Sequence, residues 1–341
     1  MTIDSHAVQT LFMVAAVLLA LGAYVVLDGF DLGIGILSAF AGGPDERDQM
    51  MNAIGPFWDG NETWLVFGGA VLLAMFPYAF SVILPALYLP LIVMLLALVF
   101  RGVAFEFRSC RNAGLKVWNL AFSVGSTLAA FAQGVALGTF VQGIKVVDGR
   151  FAGGPLDWLD AFSLMTGAAL VVGYGLLGAG FLFWRVNGPL QARAGRWARP
   201  LLYGLVAFIA VVSVWTPLQL PGVTARWFNF PLGLIFLPVP VLTVLCAFQA
   251  RRKLSDGRRS AWPFACSVGL FFLSFTGLAI SIFPMLPPPS VSLFDAAASS
   301  SAQRFLLPGI VLFIPVILLR TWFNYRLFAL HSDGELEYPK P

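Results

Sequence analysis

Residues 66–100 read VFGGAVLLAMFPYAFSVILPALYLPLIVMLLALVF, without one charged side chain. A bilayer-crossing helix needs about 20 apolar residues at about 1.5 Å of rise each, so this stretch is long enough for nearly two spans. A second charge-free run, residues 161–184 (AFSLMTGAALVVGYGLLGAGFLFW), provides another. The rest of the chain follows suit: of 341 residues, 59% are hydrophobic and 11% charged, against about 25% charged in a soluble average. That balance excludes a soluble enzyme, a disordered chain and a nucleic-acid binder. The chain reads as an all-α polytopic membrane protein, a single integral membrane domain over 1–341.

Apolar windows place nine transmembrane helices at roughly 8–40, 63–81, 83–105, 117–141, 160–184, 200–217, 230–250, 262–283 and 304–329. A turn around Pro85 separates the second and third, and Pro217 bounds a short sixth. With the N-terminus outside and the C-terminus cytoplasmic, only Lys145, Arg150, Arg226 and Arg304 lie outside, and the other 17 of the 21 basic residues face the cytoplasm. This asymmetry obeys the positive-inside rule and accounts for the basic balance without nucleic acid. Residues 1–9 carry no basic n-region, and no small-residue cleavage site follows, so the first span reads as retained.

Several motif matches fail on context. Residues 173–178 (GYGLLG) fit a dinucleotide fingerprint by letter, but they sit inside a span with no preceding strand. Close helix packing is the better use of those glycines, and of Gly29/Gly33 and Gly134/Gly138. Residues 61–63 (NET) spell a glycosylation sequon on the cytoplasmic side, where it has no use. Cys110, Cys246 and Cys266 make neither a disulfide framework nor a zinc spacing. Histidine occurs only as His6 and His331, close to the chain ends. Membrane haem and buried metal centres draw on imidazole, thiolate or thioether ligands, so this chain is expected to ligate no haem or metal. Met13, Met75, Met94 and Met165 are expected to fill the core, and His6 to be solvated.

Charge inside a membrane is costly and by default functional. Here it gathers in two acid pairs, Asp28/Asp31 and Asp59/Glu62, each spaced i, i+3 on one helical face. A short polar hairpin (residues 42–48) separates them. Counted from its tip at Asp45, Asp31 and Asp59 are each 14 residues away, and Asp28 and Glu62 each 17. Equal counts imply similar depths, about 20–25 Å along the helices. Four acids are thus expected together in the cytoplasmic half of the bilayer, where carboxylates cannot all stay ionised and protons or cations could pass. The plainer alternative has them capping helices at the interface, with a break near Gly33 and Gly35 admitting water. Glu106, flanked by Arg101 and Arg108, reads as half of an interfacial ion pair.

Residues 27–35 (LDGFDLGIG), 55–65 (GPFWDGNETWL) and 100–108 (FRGVAFEFR) closely resemble subunit II of the cytochrome bd-type quinol oxidases. Residues 283–290 (FPMLPPPS) and 294–300 (FDAAASS) resemble that family's segment before the last helix. The resemblance runs from about residue 10 to 328, and Glu62 and Thr63 are closer to the cyanide-insensitive branch. It implies a bacterial inner-membrane heterodimer with a homologous subunit I. That partner would carry haem b and a further haem, haem d or b, oxidise quinol and reduce oxygen to water with cytoplasmic protons. It also implies that Asp28, Asp59 and Glu106 lie on a proton route, with Asp31 and Glu62 in the same motifs. A structural quinone in this chain and a small single-span accessory subunit are open under it. The alternative from another class is an ion-coupled secondary transporter, whose ion site lies at broken helices near the midplane; the lack of an internal repeat and of midplane polar groups in later spans counts against it.

Overall fold

The computed structural model describes residues 5–110, 114–219, 221–227, 229 and 231–329. They form twelve α-helices in chain order: α1 (Ser5–Ser38), α2 (Pro44–Asn52), α3 (Trp58–Met75), α4 (Pro77–Cys110), α5 (Leu115–Gln142), α6 (Ala161–Arg185), α7 (Gly188–Gln219), α8 (Pro221–Trp227), α9 (Pro238–Ser255), α10 (Trp262–Ile282), α11 (Leu293–Ala296) and α12 (Ser300–Ala329). One two-stranded hairpin, Val146–Val147 with Arg150–Phe151, turns over Asp148-Gly149, both at positive φ as such a tight turn needs.

Most of the nine apolar windows fall on helices, but 63–81 straddles the break between α3 and α4, and 230–250 begins in a 3-10 turn, Leu232–Phe236, ahead of α9. Eight described helices are long and apolar enough to cross a membrane. The remaining one, α3, is 18 residues long and carries Asp59 and Glu62 near its start. Every backbone group in a bilayer must be satisfied internally, and helices do this within the segment.

Other boundaries differ from the sequence reading as well. The break between the second and third windows is at Phe76, with φ −130° and ψ 57°, while Pro85 and Pro90 lie inside α4. Helix α7 begins at Gly188 rather than near 200, because it continues through the polar turn bearing Arg193, Arg196 and Arg199. The hairpin after α1 is a surface helix, α2, followed by turns from Ala53 to Phe57.

Helix α1 is central, packed by α3, α5 and α6, and α6 is packed in turn by α5, α7 and α10. Glycine makes this closeness possible. A Cβ on Gly33 would lie 1.8 Å from the Tyr174 carbonyl oxygen, and one on Gly134 2.5 Å from that of Thr166. Gly178 faces the Gly33 backbone, so the fingerprint-like glycines serve packing. Met13, Met75 and Met94 are buried in the core. By contrast, α12 keeps Val311, Phe313, Val316, Leu319 and Phe323 outward, the apolar surface that lipid or a partner helix covers.

Candidate functional site

The site grows from the sharpest demand in the sequence, charge within an apolar bundle. Asp28 and Asp31, one turn apart on α1, are both fully buried. Helix α1 runs unbroken to Ser38, so the expected break near Gly33 does not occur and admits no water to them. Arg101, near the end of the charge-free run, reaches inward from α4 and is also buried. Its Nη1 donates to Asp28 Oδ1 at 2.9 Å, and its Nη2 donates to Glu62 Oε1 on α3. The guanidinium also lies over the Trp58 ring, 5.6 Å from its centroid, a cation–π contact that strengthens on desolvation. Asp31 is held differently: Asn61 Nδ2 donates to its Oδ2 at 2.7 Å, and the Asn61 and Tyr325 side chains hydrogen bond with each other.

The five acids singled out from sequence therefore separate. Asp28, Asp31 and Glu62 come together around Arg101 and Asn61. Asp59 does not join them: its side chain is 68% exposed and 4.0 Å from Arg320 of α12. Equal counting from Asp45 assumed two helices meeting at a tip, but α2 and its turns intervene, and α3 turns Asn61 rather than Asp59 toward α1. Glu106 is exposed and makes no ion pair among the described residues; Arg108 pairs with Asp48, and its Nε donates to Asn119. Asn61 of the discarded sequon is 2% exposed, with its amide turned into the site.

Two features escaped the sequence reading. Arg101 was placed with the cytoplasmic loop cations, although its position well before the end of α4 marks it as a charge within a helix. The later spans also carry interior polar groups: Tyr174 Oη donates to Gln133 Oε1 at 2.8 Å, and Gln133 Nε2 donates to Tyr24 Oη at 2.6 Å. Tyr24 lies one turn before Asp28, so this chain of groups borders the acid cluster.

His6, half-buried rather than solvated, sits with Nε2 3.4 Å from the Ala298 carbonyl oxygen. Among the described residues no three His, Cys, Asp or Glu side chains could share a metal ion. His331 lies outside the described residues, as does the side chain of Cys110; Cys246 and Cys266 are free thiols.

Fold and site together define an integral membrane protein whose bundle encloses an ionic cluster contributed by three helices. The family profile described as "Cytochrome bd terminal oxidase subunit II" matches residues 9–328. The cytochrome bd ubiquinol oxidase subunit 2 of Bacillus subtilis (strain 168) is 32% identical over 302 residues, covering 86% of this chain and 85% of the relative. The cytochrome bd-I ubiquinol oxidase subunit 2 of Escherichia coli (strain K12) is 27% identical over 380 aligned positions, covering 98% of each chain. A chain of the bd oxidase structure from Geobacillus thermodenitrificans shares the fold, with a TM-score of 0.74 at 17% identity over 94% of this chain and 98% of that one. The chain belongs to the cytochrome bd terminal oxidase subunit II family. It is a terminal-oxidase subunit, part of an oxidoreductase complex that includes a subunit I and contains haem.

Proposed function

We propose that this chain forms the proton-uptake side of a quinol:oxygen oxidoreductase in a bacterial cytoplasmic membrane, crossing nine times with its N-terminus outside. Subunit I holds the haems and oxidises quinol; two quinols and one O2 give two quinones and two waters. The protons for water come from the cytoplasm, and the buried carboxylates of this chain lie on their route.

The observation that carries this reading is the gradation of exposure along linked acids. Asp59 is 68% exposed, Glu62 31%, and Asp28 0%. Asp59 and Glu62 share one face of α3, and Arg101 joins Glu62 to Asp28. A proton captured at the surface thus meets progressively drier carboxyl groups. Arg101 does not carry it, because a guanidinium stays protonated in proteins; it balances the carboxylates on either side. With Asp31 included, three carboxyls face one guanidinium, and a fully ionised cluster would leave net negative charge in low dielectric. Among the described residues Asp31 Oδ1 has no hydrogen-bond partner, and a buried carboxyl oxygen in that state calls for a proton or a water. Glu106, exposed beyond Arg101 on α4, is assigned to the entrance. Of the two features that favoured the transporter alternative, the broken first helix is lost, since α1 is continuous, and the acid cluster remains; membership of the oxidase family weighs against it.

The test is quinol oxidase activity of the assembled complex carrying Asp28→Asn or Asp59→Asn. Each substitution keeps shape and removes the titrating proton. Activity should fall while haem content and yield stay normal. Normal activity in both, or loss only in step with assembly, would remove these residues from the mechanism.

A further inference from the structure

A cavity of about 260 Å³ opens between the C-terminal ends of α6 and α12. Its walls are aromatic (Phe57, Phe181, Trp184, Trp322 and Tyr325), and two arginines complete its lining. Arg185, the last residue of α6, has its guanidinium 5.7 Å from the centre of the Trp184 ring. Arg326, in the last turn of α12, lies 5.0 Å over the Trp322 ring. A third cation stands beside them: Arg259 Nε donates to the Trp184 carbonyl oxygen at 2.7 Å, near enough to Arg185 for the two charges to repel. Arg259 and Arg326 make no ion pair among the described residues. Convergent guanidinium groups on aromatic faces offer planar forked donors suited to phosphate oxygens.

From these contacts we infer that the cavity binds the headgroup of an anionic phospholipid. Arg185 and Arg326 would hold the phosphate, and the acyl chains would lie along α12. A free phosphate would use only the arginines. Earlier on α12, the helix that supplies Trp322, Tyr325 and Arg326 to the cavity, Val316, Leu319 and Phe323 are each more than half exposed. A ligand with an anionic head and a long apolar tail fits both features. Basic pockets between helices at a membrane face are characteristic sites for such headgroups.

The test is native mass spectrometry of the complex with subunit I, exchanged into detergent and titrated with dioleoyl-phosphatidylglycerol or dioleoyl-phosphatidylcholine. Phosphatidylglycerol should be retained in preference to phosphatidylcholine. R185Q/R326Q should weaken that retention by about 25-fold, at roughly fivefold per arginine, and R185K/R326K, which keeps the charges but loses the forked donors, should restore only part of it. Inorganic phosphate should not displace the lipid. Equal retention of the two lipids, displacement by inorganic phosphate, or unchanged phosphatidylglycerol binding in an assembled R185Q/R326Q complex would each overturn the inference. Should the glutamine variant fail to assemble, the wild-type comparison of the two lipids still decides.

Discussion

Arg101→Met deletes the guanidinium that, among the described residues, alone contacts the buried acids, while keeping a long apolar stem in the α4 interior. Asp28, at 2.9 Å from Arg101 and fully enclosed, would then hold an uncompensated charge. Removing one partner of a buried pair costs about 3–5 kcal/mol. Most of that belongs to Asp28, because Glu62 is 31% exposed and can turn toward water. The complex should unfold roughly 5–10 °C earlier. Adding Asp28→Asn removes the stranded charge, so the double variant should regain about 2–3 kcal/mol relative to the sum of the singles. The assay is a thermal double-mutant cycle on the purified complex, followed by intrinsic tryptophan fluorescence. An Arg101→Met complex melting within about 1 °C of wild type, or strictly additive singles, would show that the ion pair does not hold these helices as described.

Other predictions follow from the packing and the charges. Gly33→Val places a side chain against the Tyr174 carbonyl oxygen, 1.8 Å from where its Cβ would sit; neither backbone can yield, so yield of assembled complex should collapse, whereas Gly43→Ala, in open space, should be silent. Single cysteines at Gly149, in the exposed hairpin turn, and at Asp256, after α9, should differ in labelling by an impermeant thiol reagent on intact cells. Only the first should react, and the reverse pattern would invert the proposed orientation. Replacing both His6 and His331 by alanine should leave the haem absorption spectrum of the assembled oxidase unchanged; loss of one band with assembly intact would place a haem ligand in this chain.

What the sequence made legible is what the bilayer itself imposes. The apolar windows mark where the long helices run because lipid tolerates little else, and the glycine spacing marked the α1–α6 and α5–α6 contacts. Helix ends were less legible, since a helix does not stop where the bilayer does. Arg193, Arg196 and Arg199 end the apolar stretch, yet α7 continues through them. The acid motifs named Asp28 and Asp31 correctly as charges on the inner span, but counting from Asp45 could not foresee α2, and with it the outward turn of Asp59. Arg101 was hidden by its position. At the edge of an apolar run a cation reads as a loop residue, and only the packing of α4 on α5, which leaves Arg101 reaching Asp28 of α1, makes it interior. Tyr24, Gln133 and Tyr174 carry no local signal at all; their hydrogen bonds link positions 41 and 109 residues apart, which only the fold brings together.

The central claim is that protons reach the oxidase through Asp28. Its most direct test is the rate of proton uptake by the complex reconstituted in liposomes, read with a pH dye on the side of the α2 hairpin during quinol-driven turnover. For Asp28→Asn the account predicts uptake and oxygen consumption slowed together by about tenfold, equivalent to about 1.4 kcal/mol on the barrier, with the haems still fully reducible by quinol. Wild-type uptake rates in an assembled Asp28→Asn complex would contradict it.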